Sequence, residues 1–134
     1  MSFSLRGSSR QLGRALGVVV VAGSLFSVDL AQAQDAKHGQ ALFNSNCAIC
    51  HSVAPGRTVI GPSLFNVVGR KAGTAPGFNY SPALKASGVV WTPANLDNWL
   101  TSPRAFVPKN RMSFPGVHMP NDRADVIAYL AKQK

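Results

Sequence analysis

Two cysteines and a histidine form the one compact cluster of reactive side chains in this chain: Cys47, Cys50 and His51, in the string CAICHS. Thiols at that spacing can close a disulfide, supply half of a zinc site, or add to the two vinyl groups of a porphyrin. A bridge over so short a loop constrains the unfolded chain little and leaves His51 without a role. A thioredoxin-like redox couple requires a βαβ setting, and the flanks show no strand alternation. Structural zinc needs four ligands, usually a second Cys or His pair with its own short spacing, whereas His38 and His118 stand far apart. Cys-x-x-Cys-His as an attachment signature for c-type haem uses every residue, with His51 offering the proximal imidazole. One haem c, bound covalently through Cys47 and Cys50, is the expected cofactor.

Such an iron needs a sixth ligand. The candidates are Met112, Met119, His38 and His118. Met112 lies in VPKNRMSFPG, too rich in Pro, Gly and polar residues for a packed helix and suited to presenting a thioether from a loop. Met119 lies in a similar loop, so composition leaves the choice open.

The elements that must position these groups read as short helices joined by Gly/Pro loops. The first runs from about Asp35 to Asn46, with Ala36, Gly39, Leu42 and Phe43 on one face. SPALKASG carries Ser81 as N-cap, Pro82 in the first turn and Gly88 past the end. TPANLDNWLTSP repeats the device with Thr92 and Pro93, buries Leu96, Trp99 and Leu100, and stops at Pro103. NDRADVIAYLAKQK starts at Asn121 or Asp122, turns Val126, Ile127, Tyr129 and Leu130 inward, and ends in lysines that suit a helix C-terminus. No strand pattern emerges, so the expected fold class is all-α.

The chain has 134 residues, enough for one domain. Its first 33 residues read as a cleavable secretory signal: Arg6, Arg10 and Arg14, an apolar run from Ala15 to Val28, then Ala31 and Ala33 in an A-x-A site. An organelle transit peptide fits the apolar block less well. That block, 14 residues long, is short of the ~20 that span a bilayer. Residues 34–134 then form the folded domain. Without Arg6, Arg10, Arg14 and Asp29 it keeps 11 basic and four acidic residues, a net +7. Such a surface steers acidic partners. Export and the scattering of the basic residues exclude nucleic acid.

Across residues 35–134 the stretches CAICHSV, GPSLFNVVGRKAG, APGFNYSPALKASGVVWT, FVPKNRMSFPGV and DRADVIAYLAKQK occur in the order and spacing of a known family. The chain resembles class I cytochrome c of the mitochondrial and bacterial c-two type. That resemblance implies a small all-α fold around one haem. It implies Met112 as the axial ligand opposite His51, leaving Met119 to the surface or to packing. It also implies a Pro62 carbonyl accepting a hydrogen bond from His51, and propionate contacts from Arg70, Tyr80 and Trp91. Gly39 and Phe43 match first-helix positions that pack against the last helix at Val126 and Tyr129. Three positions depart from the pattern: Trp99 and Leu84 stand where mitochondrial members have a tyrosine and an asparagine, and Asn110 replaces a threonine near the methionine. A different hydrogen-bond pattern around Met112 is therefore expected.

The function implied is one-electron carriage, not catalysis, by an exported and most plainly periplasmic monomer that is not membrane-integral. Lys37, Lys71, Lys85, Lys109 and Arg111 are candidates for a docking ring. Partners implied by the family are a quinol-oxidising cytochrome complex, a terminal oxidase or photosynthetic reaction centre, and a periplasmic dehydrogenase. The competing class is a peroxidase-like enzyme or gas sensor with a labile sixth ligand.

Overall fold

A computed structural model describes residues 33–134. The expected signal segment lies, apart from Ala33, outside the described residues. Among those residues there are five helices: α1 (Ala36–Asn46), α2 (Pro82–Ala86), α3 (Pro93–Thr101), α4 (Pro103–Phe106) and α5 (Pro120–Ala131). None is long and apolar enough to cross a membrane.

Each start has a local cause. Asp35 caps α1, its Oδ1 accepting from the backbone N–H groups of Lys37 (2.8 Å) and His38 (3.2 Å). Ser81 and Thr92 cap α2 and α3 through Leu84 N and Asn95 N, each followed by a proline whose missing N–H costs nothing there. Pro103 does end α3, as expected, but it also opens α4, a single turn capped by Ser102. Likewise α5 begins one or two residues earlier than expected, with Pro120 at its first position and Met119 as a cap without a side-chain bond. Pro residues serve here as helix starters as well as stops.

The core is built on α1 crossing α5, with α3 packed against α5 and α4. Phe43 and Tyr129 meet at 5.4 Å between ring centroids. Val126, Ile127 and Leu130 are buried beside them. The crossing is close because Gly39 lies directly on α5: a Cβ there would overlap the Asp125 carbonyl and stand 2.9 Å from Val126 N.

The same crossing carries a polar clasp. Asp125 Oδ1 accepts from Asp35 N at 2.7 Å, and Asp125 Oδ2 pairs with His38 Nδ1 at 2.9 Å. The Asp125 bond chiefly raises His38 above its ordinary 6.5, and the His38 bond chiefly lowers Asp125 below its ordinary 3.8. The His38 contribution is complete below about pH 6.5 and lost as pH rises through its raised folded value. The Asp125 contribution is complete above about pH 4 and lost as pH falls through its lowered folded value. The pair therefore stabilises most between roughly pH 4 and 6.5. Denaturation midpoints across pH should rise into that window, and His38→Ala should flatten the alkaline side. An unchanged profile in His38→Ala would remove the pair from the account.

Between α1 and α3 the chain is mostly loop. An isolated antiparallel bridge joins Lys71 to Val90, flanked by Gly69 N to Trp91 O (2.9 Å), Trp91 N to Arg70 O (2.9 Å) and Ala72 N to Val89 O (2.8 Å). That short ladder sets Arg70 beside Trp91.

Candidate haem site

Cys47 lies just past α1, and its N–H continues the helix to Phe43 O at 2.8 Å. His51 N then returns to Cys47 O at 2.8 Å, so the motif is wound as a compact turn. Both cysteines are free and half-buried. Burial, with Cys50 adding to it, pushes the Cys47 thiol up to about 11. Among the described residues no group of three or more His, Cys, Asp or Glu could hold a metal ion.

His51 is fixed on two sides. Its Nδ1 donates to the Pro62 carbonyl at 2.8 Å. This assigns the proton to Nδ1 and leaves Nε2 with its lone pair, the orientation a ligating imidazole requires. Its ring rests on Gly61, where a Cβ would come within 2.8 Å of Nδ1 and 2.9 Å of Nε2. Gly61 is itself pinned by its N–H to Cys50 O at 2.7 Å. Burial lowers the His51 pKa, against the opposing pull of the Pro62 bond, so the ring stays neutral near pH 7. Nothing in the composition singled out Gly61; its signal was adjacency to Pro62. Gly61→Val should push the imidazole off its axis. In the haem-loaded protein the Soret spectrum should report a changed ligand field, with the far-UV spectrum preserved. An unaltered Soret band would show that the ring tolerates the intrusion.

Arg70, Tyr80 and Trp91 are brought into one neighbourhood. Arg70 donates through its two terminal nitrogens to Phe65 O (3.0 Å) and Ser63 O (3.1 Å), while its Nε is buried with no partner among the described residues. The Tyr80 hydroxyl accepts from Ala75 N at 3.3 Å, which leaves its own proton to give. Its pKa is raised by burial, and the Arg70 charge is among the effects that oppose the rise. Trp91 is buried edge-on against Trp99, ring centroids 5.1 Å apart. A buried donor without an acceptor is costly, and the Arg70 Nε is such a donor.

Met112 is half-buried against the core, whereas Met119 is 61% exposed. The expected change in polar surroundings takes a definite form. Neither Trp99 nor Asn110 hydrogen-bonds the Met112 sulfur; Asn110 spends its carboxamide on backbone groups, Met112 N among them. Leu84 is buried as an apolar residue of α2. Sequence reasoning missed Arg123, which is nearly buried on α5. It pairs with Asp97 at 2.7 Å and holds the Val117 and His118 carbonyls at 3.0 and 3.1 Å. A lone arginine amid the apolar face of α5, with an aspartate on α3, was the available clue.

The residues present fit haem. The thiols stand three apart, an imidazole lone pair is free, and the Arg70 Nε lacks an acceptor. Val53, Leu64, Val68, Phe78 and Phe114 pack against the core yet remain half-covered, as residues do beside a face that another apolar body should fill.

Comparison with known proteins agrees. The family model for cytochrome c matches residues 36–134. Cytochrome c2 of Rhodomicrobium vannielii is 46% identical over 122 residues, which cover 90% of this chain and 97% of that one. Cytochrome c2 of Rhodopila globiformis is 46% identical over 100 residues, 75% of this chain and 94% of the relative. Among solved structures, cytochrome cH from Methylobacterium extorquens superposes with a TM-score of 0.68 at 43% identity, covering 72% of this chain and 97% of its own. With the motif, the fold and these likenesses in agreement, the chain belongs to the cytochrome c family.

Proposed function

We propose that this chain is a one-electron carrier in which Cys47 and Cys50 hold haem c and His51 and Met112 ligate its iron. The observation that carries the reading is His51: a neutral imidazole locked by Pro62 and Gly61, its free nitrogen presented directly after two free thiols. Haem c, when bound, would supply the redox chemistry of a ferric/ferrous couple. The protein holds one ligand rigidly at His51 and offers a thioether at Met112, which favours the ferrous state relative to an imidazole or thiolate. Arg70, Tyr80 and Trp91 offer donors for the propionates, with the unpartnered Arg70 Nε as the support for that assignment. With His51 and Met112 both holding the iron, oxygen and peroxide would find no vacant place on it, which disfavours the peroxidase-like and sensing alternatives.

Electron exchange needs close approach near the attachment motif. Ile49 (75% exposed) and Ile60 (71%) face solvent there, and residues 46–62 carry a single charged side chain, Arg57. Contact would then be apolar, while the exposed Lys37, Lys71, Lys85, Lys109 and Arg111 steer acidic partners from a distance. Weak, transient complexes suit such exchange. The charge supports redox complexes with acidic docking faces, a quinol-oxidising cytochrome complex as donor and an oxidase or reaction centre as acceptor. The basic, apolar and small-residue succession of residues 1–33 supports removal of that segment on export and a periplasmic site of action.

A potentiometric titration of the haem-loaded protein tests this. It should give one reversible one-electron wave, and the ferrous protein should not bind carbon monoxide readily. Prompt, stoichiometric carbon monoxide binding would instead indicate an open sixth position and a sensing or catalytic haem.

A further inference from the structure

From Arg111 to Gly116 the loop makes no backbone–backbone hydrogen bond among the described residues. Its far end is fixed by Val117 N to Leu100 O at 2.7 Å and by the Arg123 bonds to the Val117 and His118 carbonyls. Its near end leaves the single turn α4, where Pro103 O accepts from Val107 N at 3.0 Å and Val107 O from Asn110 N at 3.3 Å. There Lys109 takes a left-handed conformation, φ 67°, which a residue with a side chain adopts only at a cost. The next residue offsets that cost. Asn110 Nδ2 donates to both Pro103 O and Val107 O, each at 2.8 Å, and Asn110 Oδ1 accepts from Met112 N at 2.8 Å. The reverse amide orientation would set two donors against each other at Met112 N, so the network fixes the assignment. Between Asn110 and Val117, the bond at Met112 N is the one hydrogen bond made by a loop backbone N–H among the described residues.

We infer that Asn110 is a positioning residue for Met112, a clasp between α4 and the methionine's own backbone that sets how readily the thioether gives way to another ligand. The inference rests on the proposed ligation by Met112. Without the clasp, packing alone holds the ligand residue's backbone, and the left-handed turn at Lys109 keeps only the bond from Asn110 N to Val107 O at 3.3 Å. The clasp therefore acts on ligand exchange and not on the fold as a whole, which rests on the α1–α5 crossing elsewhere.

The test is the binding isotherm of free imidazole for the oxidised, haem-loaded protein, read in the visible spectrum, beside the denaturation midpoint read in the far ultraviolet. One neutral hydrogen bond contributes a factor of roughly two to ten in an equilibrium, so Asn110→Ala, which loses three, should bind imidazole about tenfold more tightly or better. Asn110→Asp keeps the acceptor for Met112 N and loses the two donors, so it should fall between. Ile127→Val weakens the core without touching the loop; it should lower the denaturation midpoint and leave imidazole affinity unchanged. An affinity for Asn110→Ala within twofold of the parent would overturn the inference, as would an equal shift in Ile127→Val. Met112→Ala separates the two claims. If it tightens imidazole binding strongly while Asn110→Ala does not, the clasp fails and the ligation stands. If Met112→Ala changes nothing, the ligation fails and the clasp with it.

Discussion

Cys47→Ala combined with Cys50→Ala should yield a colourless chain with no cooperative thermal transition. The two thiols are the only groups able to tether the haem covalently, and their loss removes the body around which the inner face closes. Val53, Leu64, Val68, Phe78 and Phe114 would then stay half-covered. Completing the burial of a large apolar side chain is worth about 1 kcal/mol or more for each half uncovered, so these five alone forgo roughly 5 kcal/mol. The unpartnered Arg70 Nε adds a buried polar cost. A domain of this size has about 5–15 kcal/mol of stability in all, and a small chain buries too little elsewhere to make good the loss. Circular dichroism during heating checks this: a gradual, non-cooperative change is expected, and a sharp native-like melt would contradict it.

Gly39→Ala should destabilise the haem-loaded protein by about 3 kcal/mol. Its added methyl would fall on the Asp125 carbonyl and near Val126 N, backbone atoms that cannot swing aside as a side chain tip can. Relief requires α1 and α5 to separate, which loosens Phe43 against Tyr129 and stretches the Asp35 and His38 bonds to Asp125. For a domain near 100 residues, 3 kcal/mol corresponds to a fall of roughly 12–18 °C in the melting midpoint. Gly88→Ala is the comparison. That glycine has φ 68° but open space around its Cβ position, so its cost is conformational and near 1 kcal/mol. Similar losses at the two sites would show that contact with α5 is not what Gly39 provides.

The helices were legible in the sequence because their signals are local. Ser81–Pro82 and Thr92–Pro93 each hold a capping hydroxyl and a proline, and nothing distant is needed to read them. Prolines with two meanings were harder: Pro103 and Pro120 each open a helix, and Pro103 also stops one, a distinction that depends on how the chain arrives. The haem-binding cluster was legible for the same reason of proximity, since Cys47, Cys50 and His51 are contiguous. Gly61, Arg123 and the Asn110 clasp were not, because each acts across space on a residue chosen by the fold: an imidazole ten positions earlier, an aspartate on α3, the carbonyls of Pro103 and Val107. The Asn110 substitution was visible as a departure, but its effect became legible only when its carboxamide was seen to bond backbone and not sulfur.

The most direct test of ligation by Met112 is the long-wavelength absorption of the oxidised, haem-loaded protein, where a thioether on ferric iron gives a weak charge-transfer band. The band should be present at neutral pH, be abolished by Met112→Ala and survive Met119→Ala. Its absence from the parent protein, or its persistence in Met112→Ala, would contradict His51/Met112 ligation and with it the electron-carrier geometry proposed for this chain.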